Sequence, residues 1–488
     1  MLKKNIGLFF FIICFISIKL FLINLYPINY EYSFLELSNY FRDYDKNILD
    51  DFKIINANTV VFSYTIYLIS YLLPFLDILI IGRLLCLTSI FFIIFSLLKI
   101  KRIFNLKNNF LIIICLLNPI IWIYSSRISV DLLPASIIFF SVIILFEKKR
   151  KIFQVIISSL LFLYSVLLKP NLIALLSLPV LIIFFKDQIS FVNIKKNFYY
   201  FIFYISIVLA GFLVYYFYST IVLGHFISSV NNLVYSKSIF TVITNSFFYF
   251  GLLVIFITPV FFQNYTFFLK KNVIYFFLLG SSLFFYLGYI NKYYFGEMDL
   301  GSFNFISTQI LQGIYFIMAL TMFIVMYNYF KILNIKEKNF LFMVLVSFIF
   351  YVILVSFFRP AQRYIMVFIL FFIPIVFMVN KKINSKFYFF TIFIYVVLNL
   401  YFVVNNVNRS HLARTALNYI HENQLLYHIE PGVITDSYNW PSVRRQNLSS
   451  DKKKYAIVNT LSDKSKIKKK FEGKINIFNT KKYFLIEK

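Results

Sequence analysis

Two acidic side chains in this sequence are candidates for chemistry. Glu31 follows the first apolar segment, in the sequence Asn29-Tyr30-Glu31, and Asp131 lies at the start of a later one. A carboxylate held at the edge of a membrane can act as a general base, or it can bind a divalent cation that neutralises a phosphate leaving group. A charge inside an apolar segment is costly and points to function. We therefore predict Glu31 and Asp131 as catalytic residues. The alternatives are a solvated loop for Glu31 and an i,i+4 pair with Arg127 for Asp131.

Four basic side chains form the second group of candidates. They lie in short connections between apolar segments, and they are Arg127, Lys169, Arg359 and Arg363. Arginine presents a planar fork of donors that suits phosphate oxygens, and lysine supplies a compact positive charge. We predict that these four residues bind the phosphate of a lipid. The alternative is that they extend to ordinary lipid headgroups. Lys19, near the outer end of the first apolar segment, is expected to extend outward to headgroups.

The composition indicates that these residues belong to a membrane protein. Of the 488 residues, 60% are hydrophobic and only 14% are charged, and the mean hydropathy is +0.79. One soluble core cannot hide that much apolar surface. The net charge of +28 is spread over short loops, which argues against a nucleic-acid-binding face. The three cysteines all lie in apolar segments, so neither a disulfide framework nor a cysteine metal site is expected.

The apolar segments predict an α-helical polytopic membrane protein with about 13 transmembrane helices, because a helix needs roughly 20 residues to cross a bilayer. The predicted spans are 5–25, 83–99, 109–125, 129–146, 152–168, 171–185, 198–219, 246–263, 273–290, 305–328, 340–358, 363–379 and 387–404.

The loops predict how these spans are oriented. Lysine and arginine collect in every second loop, as the cytoplasmic loops of membrane proteins do. The basic segments are Lys3-Lys4, 99–107, 147–151, 186–196, 270–271, 331–338 and 381–386. We therefore expect a multi-pass protein of the bacterial inner (plasma) membrane, with a cytoplasmic N-terminus and an external, periplasmic C-terminus.

Two regions are expected outside the membrane. The first external loop, 27–82, is acidic, and we predict juxtamembrane helices in it. One of them, an amphipathic helix at 59–76, is expected to lie along the interface with its Ser and Tyr side chains facing water or headgroups. The composition becomes polar after residue 404, so the chain divides into a membrane domain, 1–404, and a small α/β domain, 405–488. The α/β domain is predicted to hold a helix at 416–425 and the strands listed here: 433–436, 455–458 and 483–486. Its lysine-rich stretch, 464–470, is expected to be a solvated surface, with contact to anionic headgroups as the alternative.

The nucleotide-binding signatures GxxxxGK[ST] and GxGxxG do not occur in the sequence. The predicted cytoplasmic loops are also too short to form a nucleotide-binding domain. An activated substrate is therefore expected to arrive through the membrane or from outside.

The order of these parts resembles the GT-C superfamily of polytopic glycosyltransferases, in particular the bacterial relatives of protein mannosyltransferases and of the lipid A aminoarabinose transferase. The resemblance rests on the acidic first loop, Gly82-Arg83, Asn118-Pro119 with Asp131, Lys169-Pro170 and Arg363-Tyr364, followed by an external α/β domain. The family's usual Asp-Glu or Asp-x-Asp pair is here Asn29-Tyr30-Glu31, so Glu31 is the only carboxylate of that motif.

The resemblance implies an inverting transfer of a sugar from a polyprenyl-phosphate donor to a lipid, glycan or protein acceptor on the external face. Glu31 would be the base or metal contact, with Asp131 supporting it across a cavity. Arg359, Arg363, Lys169 and Arg127 would bind the carrier phosphate. A divalent cation held by the two carboxylates stays open, and no nucleotide is expected. The alternative functions are an O-antigen polymerase or ligase-like enzyme and a transporter of lipid-linked glycans.

Overall fold

The protein was analysed as a computed structural model. It describes residues 2–25, 31, 34, 35, 38, 41, 60–147, 151–186, 191–222, 239–261, 308–357, 362–379, 385–423, 427–429, 455–458, 466–476 and 479–487. The predicted span 273–290, the predicted strand 433–436 and Arg359 lie outside the described residues.

Helices account for most of the described chain. They are α1 (Leu2–Phe21), α2 (Val60–Leu72), α3 (Ile78–Leu87), α4 (Ser89–Ile103), α5 (Phe110–Leu117), α6 (Pro119–Tyr124), α7 (Leu132–Leu145), α8 (Ile152–Leu168), α9 (Ser177–Phe185), α10 (Phe191–Val222), α11 (Ile239–Phe261), α12 (Thr308–Ile332), α13 (Ile335–Val355), α14 (Met366–Val379) and α15 (Ser385–Glu422). Short 3₁₀ helices occupy Leu22–Asn24, Pro170–Leu176 and Gln362–Ile365, and the strands are β1 (Tyr427–Ile429), β2 (Tyr455–Val458), β3 (Lys466–Asn476) and β4 (Asn479–Glu487).

The chain forms two compact units. The first comprises Met1–Cys86, Ser126–Ser129 and Val397–Lys488, and the second comprises Leu87–Ser125 and Val130–Val396. Each unit therefore combines segments that are far apart in the sequence, and each has its own polar cluster.

Two helices, α7 and α14, lie in the core of the second unit, and α14 is apolar throughout. A helix that is apolar on every side is buried on every side, and all of Met366–Met378 in α14 is buried. α7 packs against α4, α8, α9 and α14. Next to this core, α11 packs tightly on α12, where a Cβ added to Gly251 would meet the Tyr315 carbonyl oxygen at 2.0 Å. This close approach requires glycine.

Apolar helices with exposed apolar surface make this a membrane protein. Among the described residues, four helices are long and apolar enough to cross a bilayer: Ile78–Ile103, Asn197–Tyr218, Ile335–Val355 and Tyr388–Ala416. Large side chains such as Leu209, Leu213 and Phe217 are exposed along α10, where only 11% of the apolar window is buried. Such a surface is unfavourable in water but matches lipid chains.

Helices coincide with all the predicted spans that the structure describes, but their boundaries differ. The span predicted at 83–99 begins earlier, at Ile78, because the Asp77 carboxylate accepts from the Leu79 N–H at 2.7 Å and helps to start α3. The span predicted at 109–125 is divided between α5 and α6, where Pro119 follows Asn118.

In the first unit, the predicted juxtamembrane helices are present where the chain is described. Residues 31, 34, 35, 38 and 41 are helical, and α2 lies within the predicted amphipathic segment. Phe34 packs edge-on against Phe62 at 5.1 Å, and the Ser38 hydroxyl donates to the Ser63 carbonyl at 2.9 Å. The expectation that the serines of α2 face water or headgroups is wrong for Ser63, which is buried between these helices.

The C-terminal part contains a four-stranded sheet with the order β1-β2-β4-β3, in which β1 and β2 are parallel and the other pairs antiparallel. The predicted strands 455–458 and 483–486 are confirmed. The described part of the lysine-rich stretch, 466–470, belongs to the edge strand β3, and the side chains of 467–470 are exposed. The predicted helix 416–425 is the end of α15, which runs without a break through the predicted domain boundary at residue 405. Tyr419 packs edge-on against Phe471 at 5.6 Å, joining α15 to the sheet.

Candidate active site

The second unit brings three of the predicted functional residues together. The Asp131 Oδ1 atom lies 2.5 Å from the Lys169 ammonium and 3.9 Å from the Arg363 Nε atom. Asp131 and Lys169 are buried, whereas the Arg363 side chain is 34% exposed. We call these residues, together with Tyr364, the Asp131 cluster.

The ends of three packed helices supply the cluster. Asp131 immediately precedes α7, Lys169 follows the last residue of α8, and Arg363 lies in the short 3₁₀ helix before α14. Pro170 starts the next 3₁₀ helix, because its fixed φ and missing N–H suit a first helical position. α7 packs against both α8 and α14. The start of α7 and the end of α8 therefore meet, which brings Asp131 into contact with Lys169, 38 positions later in the chain.

Aromatic rings border the Asp131 cluster. The Lys169 ammonium lies over the Tyr364 ring, 4.8 Å from its centre, which is within the distance of a cation–π contact. The ring of Tyr249, in α11, lies 6.3 Å from that of Tyr364. Aromatic faces next to hydrogen-bonding groups suit ligands that are partly apolar and partly polar.

The cluster has an excess of positive charge. Two cations and one carboxylate give it a net charge of +1. Burial lowers the pKa of the Lys169 ammonium, which lies in a connection between helices; the nearby Asp131 carboxylate acts to raise it and the Arg363 guanidinium to lower it. An anion that contacts Lys169 and Arg363 would therefore be bound in a poorly solvated place, where charge interactions are strong.

The first unit has a separate buried ion pair between Glu31 and Arg83. Arg83 donates from Nε to Glu31 Oε1 at 3.3 Å and from Nη2 to Oε2 at 3.1 Å. The Ile128 N–H donates to the same Oε1 at 2.7 Å, and the two charged residues are 1% and 3% exposed, respectively. Both oxygens of Glu31 therefore accept hydrogen bonds, two of which come from a cation.

Arg83 also forms hydrogen bonds with the end of the first helical segment. Its Nη1 donates to the carbonyl oxygens of Ile23 and Leu25, which end that segment. Carbonyls at a helix end lack partners within the helix, so the arginine satisfies groups that would otherwise be unpaired. We call Glu31, Arg83 and the three main-chain groups of Ile23, Leu25 and Ile128 the Glu31 cluster.

A lysine of α1 lies inside the same unit. Lys19 is buried, with its ammonium 3.4 Å from the Ser126 Oγ atom and 5.6 Å from the centre of the Phe15 ring. The prediction that Lys19 extends outward to headgroups is wrong, because its ammonium is buried next to Ser126 in the 126–129 turn. Arg127, in the same turn, is buried as well.

The structure thus brings Asp131, Lys169 and Arg363 together and places Glu31 in a different cluster of the other unit. An i,i+4 pair with Arg127 was the alternative for Asp131, and the structure pairs Asp131 with Lys169 at 2.5 Å. Phosphate binding by Arg127 stays a prediction, as does the catalytic role of Glu31.

Sequence reasoning missed Arg83 and Tyr249 as parts of these clusters. Arg83 carried a signal, because it is a charge within an apolar segment, the feature that drew attention to Asp131. Tyr249 carried none, since it is one of 37 tyrosines in an aromatic-rich chain.

The described donors give no support to the divalent cation that the sequence left open. Among the residues that the structure describes, no three His, Cys, Asp or Glu side chains come together as a metal site. The Glu31 carboxylate is neutralised by Arg83 and that of Asp131 by Lys169, whereas a hard cation takes several oxygen ligands. We therefore derive no step through a metal ion.

Comparison of the chain with protein-family models, with curated proteins and with solved structures finds no match.

Proposed function

We propose that this protein is an inverting membrane glycosyltransferase, which moves a sugar from a polyprenyl phosphate to an acceptor hydroxyl on the external face. The observation that carries the proposal is the Asp131 carboxylate paired with Lys169 and Arg363 in a membrane protein. This arrangement combines a potential base with two potential phosphate ligands. The proposed step uses no nucleotide and no metal ion.

The net charge of the cluster supports a phosphodiester donor. A sugar joined to a lipid through one phosphate carries a single negative charge, which balances the net charge of +1 of Asp131, Lys169 and Arg363. The partial exposure of Arg363 gives an incoming headgroup access to a guanidinium, which binds two phosphate oxygens at once.

The proposed reaction is a single displacement. The acceptor oxygen forms a bond to the anomeric carbon as the bond from that carbon to the phosphate oxygen breaks, and Asp131 takes the acceptor proton. The leaving polyprenyl phosphate gains one negative charge. As Asp131 becomes neutral, the cluster gains one positive charge, and the Lys169 ammonium is released from its carboxylate partner to stabilise the leaving phosphate.

We assign a positioning role to Glu31 in this proposal. Its Oε1 atom accepts from Arg83 and Ile128, and its Oε2 atom accepts from Arg83. Because the side chain is also buried, little room is left for an acceptor hydroxyl. Its predicted role as general base thus has less geometric support than that of Asp131. Through the Ile128 N–H, Glu31 holds the 126–129 turn of its own unit.

The proposal is tested with purified protein and radiolabelled undecaprenyl phosphates carrying single sugars, by following the release of free undecaprenyl phosphate. Arg363→Gln is the informative variant, because a partly exposed side chain 3.9 Å from Asp131 can be lost without unfolding. We expect a decrease in kcat of about 100-fold or more, the effect of removing one stabilising donor. Arg363→Lys should retain part of the activity.

Arg102→Gln is the matched control, because Arg102 is an exposed arginine at the end of α4, within the basic loop predicted to be cytoplasmic. It should turn over normally. Equal activity of Arg363→Gln and wild type would refute the assignment of the phosphate site, and no release from any donor by the wild-type protein would refute the proposed function.

A further inference from the structure

Tyr351 has a buried hydroxyl whose hydrogen-bond partner is missing from the described part of the chain. The residue lies near the end of α13 and is 0% exposed, and its ring packs on Phe368 of α14 at 5.5 Å. Its phenolic oxygen contacts no donor or acceptor there. Buried polar groups are nearly always hydrogen-bonded, because an unpaired one costs the free energy of its lost hydration.

The surroundings connect this hydroxyl to the Asp131 cluster. α13 packs against α14 and against the 3₁₀ helix Pro170–Leu176, which begins directly after Lys169. α13 also packs against α11, the helix that carries Tyr249. The hydroxyl, which has no hydrogen-bond partner among the described residues, therefore belongs to a helix that packs against elements of the proposed substrate site.

A neutral donor has a distinct use in such a site. The Lys169 and Arg363 cations attract a phosphate over some distance, whereas a rigid phenol donates along one direction only. It can therefore fix the orientation of a bound headgroup without changing the charge balance of the cluster.

We propose that Tyr351 is a substrate-binding residue, whose hydroxyl donates a hydrogen bond to an oxygen of the bound glycosyl phosphate. This inference rests on the proposed function, since it adds a contact to the same site. The accepting oxygen belongs either to the phosphate or to a sugar hydroxyl, and these two sources are separated by the probes below.

The test uses Tyr351→Phe, which removes only the hydroxyl. Tyr204→Phe is the matched control, because the Tyr204 hydroxyl is likewise buried without a hydrogen-bond partner among the described residues, whereas its ring lies against Phe162 of α8. Wild type and both variants are placed in lipid nanodiscs. Binding of undecaprenyl phosphate and of undecaprenyl phosphate glucose, galactose, mannose and N-acetylglucosamine is measured by competition, together with the melting temperature of the ligand-free protein.

We expect Tyr351→Phe to bind the glycosylated probes more weakly, by roughly 3- to 10-fold if a sugar hydroxyl accepts and by about 10- to 100-fold if a phosphate oxygen accepts. Undecaprenyl phosphate itself loses affinity only in the second case. The ligand-free variant should melt at the wild-type temperature or above it, because an unpaired hydroxyl has been removed. Tyr204→Phe should bind all probes like wild type.

Unchanged affinity of Tyr351→Phe for every probe that wild type binds would overturn the inference and leave the proposed function standing. A lower melting temperature of ligand-free Tyr351→Phe would also overturn it, because the hydroxyl would then have a partner within the protein. If wild type binds none of the probes, the proposed function fails, and the inference fails with it.

Discussion

Breaking the ion pair between Glu31 and Arg83 should destabilise the protein more than replacing both partners. In Glu31→Gln the side chain keeps its shape, and its carbonyl oxygen can still accept from the Ile128 N–H, but the Arg83 charge is left without a counter-ion at 3% exposure. Loss of one partner from such a buried pair costs about 3–5 kcal/mol in the free energy of unfolding.

The double variant Glu31→Gln/Arg83→Met removes both charges at once. No uncompensated charge then remains, and the main loss is the donor that the Ile23 and Leu25 carbonyls share. The loss of these two hydrogen bonds costs about 2 kcal/mol of unfolding free energy in total. We therefore expect the double variant to be more stable than Glu31→Gln alone, which means a favourable coupling between the two substitutions.

The free energy of unfolding is measured in mixed micelles of dodecyl maltoside and sodium dodecyl sulfate, followed by tryptophan fluorescence, and sugar transfer is measured on the same samples. The control is Glu147→Gln, which breaks the pair of Lys99 and Glu147. These side chains are 32% and 36% exposed, so the loss should be below about 1 kcal/mol.

Wild-type stability of Glu31→Gln would refute the reasoning about the buried charge. The transfer assay distinguishes a positioning role of Glu31 from a role as general base. If Glu31 is a positioning residue, activity should return together with stability in the double variant. A double variant that is stable but inactive would instead make Glu31 the general base.

Three other predictions concern the second unit. Gly251→Ala should lower the free energy of unfolding by about 2–3 kcal/mol and the melting temperature with it, because the new Cβ would lie 2.0 Å from the Tyr315 carbonyl oxygen. An unchanged melting temperature would contradict the close contact of α11 and α12. Asn118→Ala should cost about 1–3 kcal/mol in unfolding free energy, since it removes a hydrogen bond to the Phe256 carbonyl at 2.9 Å and the cap of α6. Burial lowers the pKa of Lys169, so the affinity for the carrier phosphate should fall as the pH rises, and it should do so at a lower pH than that at which an ordinary lysine titrates. Lys169→Arg should remove this pH dependence. A flat pH profile of the wild-type protein would contradict the role of Lys169.

Much of the architecture follows from local sequence. The apolar segments determine where helices form, since continuous apolar stretches leave the backbone no better way to satisfy its hydrogen bonds in a lipid environment. The helical α2 and the strands β2 and β4 were likewise predicted from the pattern of apolar residues. The boundaries were predicted less well, because caps such as Asp77 and breaks such as Pro119 depend on one or two residues.

The polar clusters were predicted only in part. A charge in or beside an apolar segment identifies Glu31, Asp131, Lys169 and Arg363 as unusual, because such a charge is expensive to bury. The sequence alone does not determine their partners. Arg127 was the nearest choice for Asp131, and the outward extension expected of Lys19 was wrong.

Tertiary packing decides these partners, since the residues that meet are 38 positions apart for Lys169 with Asp131 and 52 apart for Arg83 with Glu31. Which helix ends come together depends on how α7, α8 and α14 fill a common core, and many side chains far along the chain contribute to that packing. The sequence thus determined which segments are apolar and which residues carry unusual charge. The three-dimensional packing determined which of those charges neutralise each other.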